Sequence, residues 1–275
     1  MRPSLAIALL APALLAPSTS AAWCRTTTIT QSDPARCVEA GATLYWPVGC
    51  LSMSLDTSDA PPGMSAATLR GMLSGALNAW GATRCDGQPL GIRLSTGPDT
   101  TRGAEYVEAG ENVNALVFVR DWRATGLASS ALAVTTVTFG ASTGVIRDAD
   151  LRVNLSFPLT SSDAVAGNDL PTILLHEVGH VLGLDHSGER SAVMWFSAGR
   201  GERRRVLQPD DLAGACAAHP PTLQRPCAVE PAGGGCECAT RGGAGEGGGG
   251  LWGAAVLSWV ALRRRRRGAG GAASV

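Results

Sequence analysis

Three of the four histidines of this chain fall within eleven residues, in the stretch Leu174-Leu175-His176-Glu177-Val178-Gly179-His180-Val181-Leu182-Gly183-Leu184-Asp185-His186-Ser187. No other feature restricts the chain so tightly. On a helix, residues four apart share a face, so His176 and His180 project together and can chelate one ion. Glu177 stands beside them without needing to be a ligand. Gly183 frees the backbone to leave the helix, at a positive φ where required, and to bring His186 to the same ion. Three neutral imidazole nitrogens then leave one tetrahedral position open.

Three imidazoles with no thiolate favour zinc over metals that prefer softer or all-oxygen sites. An open zinc site lowers the pKa of bound water to about 7 and polarises a carbonyl oxygen. Glu177 is then placed as general base, taking the proton of the attacking water and handing it to the leaving amine. A chance cluster of histidines is the competing explanation, and the added Gly183 and His186 at fixed spacing weigh against it.

The pattern His-Glu-x-x-His-x-x-Gly-x-x-His, as it stands from His176 to His186, resembles the signature of the metzincin zinc peptidases, and Gly179 with Ser187 brings it nearer the matrixins. Downstream, Ser191-Ala192-Val193-Met194 is similar to that family's Met-turn, with an ordinary core methionine as the alternative at Met194. The resemblance spans about residues 41–221, with the close match confined to 174–195. It implies an α+β, zincin-type catalytic domain: a twisted, mostly parallel sheet with one antiparallel edge strand, long helices behind it, and the Met-turn below the zinc. It also implies His176, His180 and His186 as zinc ligands, Glu177 as the base, and a protein or peptide substrate.

By the same resemblance, Leu132-Ala133-Val134-Thr135 forms the edge strand that pairs with an extended substrate. An open edge offers unpaired N–H and C=O groups to a peptide, although a purely structural strand has the same composition. A second, structural zinc common in matrixins is not expected, because His219 is the one histidine left over. Asp148, Asp150 and Asn154 offer oxygen ligands that suit calcium, or are simply solvated turn and strand-end residues. The astacin-type tyrosine two residues after the methionine is replaced by Phe196.

Elsewhere the periodicities are ordinary packing signals. Leu51, Met53 and Leu55 alternate with Ser52, Ser54 and Asp56, as in a strand within 41–55. After Pro61-Pro62-Gly63, Ser65 caps a helix whose stripe is Leu69, Met72, Leu73, Ala76, Leu77 and Trp80, stopped by Gly81. Strands follow at 91–95, 114–120, 131–139 and 145–155. Asn168-Asp169 with Pro171 opens the histidine helix, and a last short helix starts near Asp210-Asp211.

The two ends read as addresses. Residues 1–22 have the layout of a secretory signal peptide. Residues 23–40 form an N-terminal segment, and 222–250 a Pro/Gly-rich linker carrying Cys236 and Cys238. Residues 251–262 are apolar and 263–275 begin with five arginines, the layout of a short transmembrane or sorting segment with a stop-transfer tail. That tail resembles the C-terminal sorting signal of myxobacterial surface proteins, which implies attachment to the membrane or cell envelope, with processing of the tail or plain anchoring both open. The expected location is therefore the cell surface or outer envelope, or the medium after tail processing.

Eight cysteines in an exported chain imply disulfides; apart from Cys236 and Cys238, six remain, whose pairing sequence does not decide. Cys37, in Pro34-Ala35-Arg36-Cys37, faintly resembles a latency motif but is better explained as a disulfide partner. Residues 23–262 carry 17 Arg against 23 acids, so nucleic acid is not an expected partner. The alternative to a peptidase is a surface binding or adhesion module on a catalytically weak zinc scaffold.

Overall fold

The computed structural model describes residues 22–29, 36–108, 110–163, 167–223, 225–227 and 252–262, the last of these as backbone. The stretch up to residue 21 that reads as a signal peptide, Cys236, Cys238 and the arginine tail lie outside the described residues. Strand β1 (Cys50–Leu55) buries Leu51, Met53 and Leu55, as the period-two pattern requires. Upstream, Thr43 and Tyr45 make isolated bridges only, so the strand expected within 41–55 occupies its second half. Helix α1 (Ala66–Gly81) starts where Ser65 Oγ accepts the Thr68 N–H at 3.1 Å. Its buried stripe is Leu69, Leu73, Ala76, Leu77 and Trp80.

The expected strands form as β2 (Arg93–Thr96), β3 (Ala115–Val119), β4 (Ala131–Gly140) and β5 (Ile146–Asn154). Helix α2 (Leu170–Val181) carries the histidine motif. Asp169 caps it by accepting the Thr172 N–H at 3.1 Å, and Pro171 sits in the first turn, where a missing N–H costs nothing. Gly183 follows with φ +85°, the positive value that a side chain would resist. Strand β6 (Ser197–Gly199), helix α3 (Pro209–Ala218) and strand β7 (Trp252–Leu262) complete the main elements.

The sheet order is β6-β7-β4-β5-β3-β1-β2. Strands β2, β1, β3 and β5 run parallel to one another, and β4 is antiparallel to β5, with Thr135 opposite Leu151. The core of this α+β fold joins α1 and α2 to the sheet through Leu73, Leu77 and Trp80, Leu174 and Val178, and Leu151 and Val153. Trp80 Nε1 donates to Leu175 O at 2.8 Å and Trp46 Nε1 to Val181 O at 2.7 Å, which fixes α2 against its neighbours.

Three expectations need correction. First, Leu132 to Thr135 do lie in an antiparallel strand, but β7 pairs along its outer side, with Leu257 opposite Thr135, so β4 is internal in this structure. An unpaired edge is a template for any extended segment, and a segment of this chain uses it. Second, the run expected to be a short transmembrane segment is this strand; among the described residues no helix is long and apolar enough to cross a membrane. Twelve residues fall short of the roughly 20 that a spanning helix needs.

Third, the segments placed outside the domain, 23–40 and 222–250, are partly built into it. Cys24 and Arg25 pair with Asp185 and Leu184, and Cys24 is bonded to Cys37. Cys50 is bonded to Cys227 and Cys85 to Cys216. Loop closures of 177 and 131 residues restrict the unfolded chain strongly, which suits a fold whose ends must stay closed around a long sequence.

Candidate metal centre

The end of α2 and the turn after it bring His176, His180 and His186 together, all essentially buried. Their ligand atoms lie within 4.8 Å of one another, and no other group of three or more His, Cys, Asp or Glu side chains converges so among the described residues. His176 Nδ1 lies 2.7 Å from Val193 O and His180 Nδ1 lies 2.8 Å from Leu184 O. A carbonyl only accepts, so each Nδ1 carries the proton and each Nε2 presents a lone pair.

Those two Nε2 atoms stand 3.1 Å apart. Two lone pairs at that distance repel, and protonation is a poor remedy here. Burial, then the neighbouring His180 and His186, holds His176 well below the ordinary histidine range, and burial brings His180 down to about 4. His186 is lowered by burial and by His180, and its Nε2 has no hydrogen-bond partner. A cation between the three nitrogens resolves all of this. Nitrogens bound at 2.0–2.1 Å to a tetrahedral zinc stand roughly 3.4 Å apart, close to the spacing seen. The donor set therefore fits zinc.

Glu177 is fully buried beside the histidines. Thr135 Oγ1 donates to its Oε2 at 2.6 Å, and Oε1 has no hydrogen-bond partner. Burial pushes its carboxyl up to about 8, against the hydrogen bond from Thr135. A dication held next to it would draw it back toward the ionised form. Met194 lies under α2: a Cβ placed on Gly179 would meet Met194 Sδ at 2.2 Å and Trp80 Cζ2 at 2.9 Å. Glycine at 179 is thus required by close approach.

The turn before Met194 is held by a residue that the motif does not contain. Asp211, near the start of α3, accepts from Val193 N at 2.9 Å, Met194 N at 3.0 Å and Gln208 N at 2.8 Å. Since Val193 O receives the His176 Nδ1–H, this carboxylate stands one peptide away from a candidate ligand. Its neighbour Asp210 takes Ser187 Oγ at 2.6 Å and the backbone N–H groups of Ala22 and Trp23 at 2.8 and 3.1 Å. Sequence reasoning used Asp210-Asp211 only to start a helix. The available signal was two acids in the first turn after Gln208-Pro209, a capping pattern whose tertiary partner stays invisible.

Other expected residues fall elsewhere. His219 is buried, its Nε2 donates to Leu182 O at 2.8 Å, and it is lowered to about 4 mainly by burial; it serves as a packing residue. Asp148, Asp150 and Asn154 do not converge on one ion. Asn154 is four residues beyond Asp150 on β5, about 13 Å along an extended strand. Its Nδ2 donates to Ala131 O and its Oδ1 accepts the Ser156 N–H. Asp148 and Asp150 face each other instead, and burial with the Asp148 charge raises Asp150 to about 8.

An α+β domain whose histidine helix lies against a mixed sheet is consistent with the zincin class of metallopeptidases. Residues 129–219, a third of the chain, match the Matrixin family, peptidase M10. Metalloendoproteinase 1 of Glycine max is 37% identical over 67 residues, 24% of this chain and 22% of the relative. Metalloendoproteinases 5-MMP and 1-MMP of Arabidopsis thaliana are 41% and 46% identical over 46 residues, 17% of this chain and 13% of theirs. The chain thus matches less than a quarter of the length of these relatives, and the matches, with the histidine triad, support a zinc metalloendopeptidase.

Proposed function

We propose that the chain is an exported zinc endopeptidase that hydrolyses peptide bonds in proteins. The observation that carries this reading is the convergence of three buried imidazoles, two with their Nε2 atoms 3.1 Å apart, beside a buried carboxylate that keeps one oxygen unpartnered. His176, His180 and His186 would hold one zinc, and Val193 O and Leu184 O fix the rings of the first two. Bound there, zinc supplies Lewis acidity that polarises a carbonyl and acidifies water. Glu177 takes the proton of the attacking water and passes it to the departing amine.

The turn at Ser191 to Met194 serves as the Met-turn, its methionine packed against Gly179. Residues 1–22 direct export, consistent with the three disulfides among the described residues, and the product works at the cell surface or in the medium.

The decisive experiment is cleavage of fluorescein-labelled casein by the chain folded under oxidising conditions, with and without a zinc chelator. Cleavage that the chelator stops, one zinc per chain, and loss of cleavage in Glu177→Ala with the zinc retained are expected; His180→Ala loses both. A Glu177→Ala protein of undiminished activity sinks the mechanism. One tightly held zinc with no cleavage in the parent chain would transfer the assignment to a binding module.

A further inference from the structure

We propose that Thr135 is a positioning residue for the Glu177 carboxylate: its hydroxyl holds Oε2 so that Oε1 alone is presented to water. The inference rests on Glu177 being the base. Thr135 is fully buried on β4, where alternate residues share a face. Its companions on that face, Ala133, Val137 and Phe139, are apolar members of the main core. A valine has the same shape as threonine and would suit such a position without a polar group to satisfy. The hydroxyl therefore needs an explanation that packing does not give.

Its hydrogen bonds supply one. Thr135 Oγ1 lies 2.6 Å from Glu177 Oε2 and 3.3 Å from Glu177 O. One hydroxyl proton serves one strong bond, and the shorter contact to a charge-bearing oxygen is the favoured one. Next along the strand, Thr136 spends its hydroxyl as an acceptor for Arg152 Nη1 at 2.8 Å, on the other face. Two adjacent threonines thus serve different partners, and only the one facing α2 meets the motif. A carboxylate with one oxygen tied loses the freedom to rotate about its last torsion, so its second oxygen stays at one place. In a site where a misplacement of about 1 Å costs as much as 100-fold in rate, that restraint acts on turnover.

The test uses the full chain, as parent and as Thr135→Val, Thr135→Ser and Glu177→Ala. Zinc per chain is measured for each, and turnover of fluorescein-labelled casein is resolved into kcat and KM. Thr135→Val is expected to keep one zinc and a KM within about twofold, while kcat falls roughly 10-fold or more. Thr135→Ser, which restores the hydroxyl, is expected to recover most of kcat. Crystal structures of the metal-free variants read the restraint without activity: the Glu177 carboxylate takes more than one orientation with valine and one with serine.

A Thr135→Val chain with kcat within twofold of the parent, or a serine variant as slow as the valine one, overturns the proposal. If valine unfolds the chain, Thr135→Ala against Thr135→Ser puts the same question, and equal rates for those two overturn it as well. Failure of the underlying reading looks different: Glu177→Ala then cleaves as fast as the parent, whatever Thr135 does.

Discussion

Glu177 and Asp211 are two buried carboxylates that serve the same centre with opposite hydrogen bonding. Glu177 receives one bond, from Thr135, and leaves Oε1 without a partner, whereas Asp211 receives three backbone N–H groups. Burial pushes both upward, Glu177 to about 8, while the three amides work against the rise at Asp211. The difference teaches what burial alone does not. An acid saturated by backbone donors is a structural tie, and an acid left half-satisfied is available for proton transfer.

The same isosteric change at both positions separates these uses. Glu177→Gln removes the proton acceptor and is expected to lower kcat about 1000-fold. Its melting temperature stays level or rises, because a buried ionisable group has been replaced by a neutral one. Asp211→Asn is the reverse case. The amide nitrogen must face one of three N–H groups, which leaves a buried donor unpaired at about 2 kcal/mol. Thermal unfolding and zinc titration check it: a lower melting temperature and weaker zinc binding are expected, the latter through Val193 and His176. If Asp211→Asn melts with the parent and Glu177→Gln does not, the roles assigned to the two acids are wrong.

A smaller effect is expected where the comparison runs through packing. Gly179→Ala gains about 1 kcal/mol of helix propensity but drives a methyl into Met194 and Trp80. Overpacking of this kind costs about 1–3 kcal/mol, so the clash outweighs the gain by roughly 1 kcal/mol. Denaturant unfolding of Gly179→Ala beside Gly179→Ala/Met194→Leu measures how much of that cost is the methionine sulfur.

What could be read in the sequence divides along the same line. The triad, Gly183 and the helix caps at Ser65 and Asp169 are local patterns, since a period of 3.6 or a cap acts within one turn. The five central strands were legible for the same reason. Asp211 and the Thr135 hydroxyl were not, because each works through a partner 17 to 42 residues away, and nothing in the linear order reports that distance. The tail failed for another reason. An apolar run of twelve uncharged residues satisfies a membrane pattern and a strand pattern alike, and only the presence of an edge on β4 decides between them.

A third arrangement of buried acid is one in which the neighbour is another acid. Asp148 and Asp150 face each other on β5, and Asp150 Oδ1 accepts the Ala115 N–H at 2.9 Å. Burial, then the Asp148 charge, holds Asp150 at about 8, against an ordinary value near 4 in the unfolded chain. A folded pKa above the unfolded one means that the folded chain binds the extra proton between those values. The stability this contributes is full below about pH 4 and is lost as pH rises through about 8. Asp150→Asn keeps an acceptor for Ala115 and has no proton to lose, so its melting temperature is expected to fall less than the parent's between pH 6.5 and 9. Taking the difference between the two curves cancels every titration that the change leaves alone, His219 and the triad included, and leaves that of Asp150 together with the response of its coupled neighbour Asp148. Parallel curves would show that the pair is already ionised in the folded chain, with Arg152 as the compensating charge, and the contrast would reduce to Glu177 and Asp211 alone.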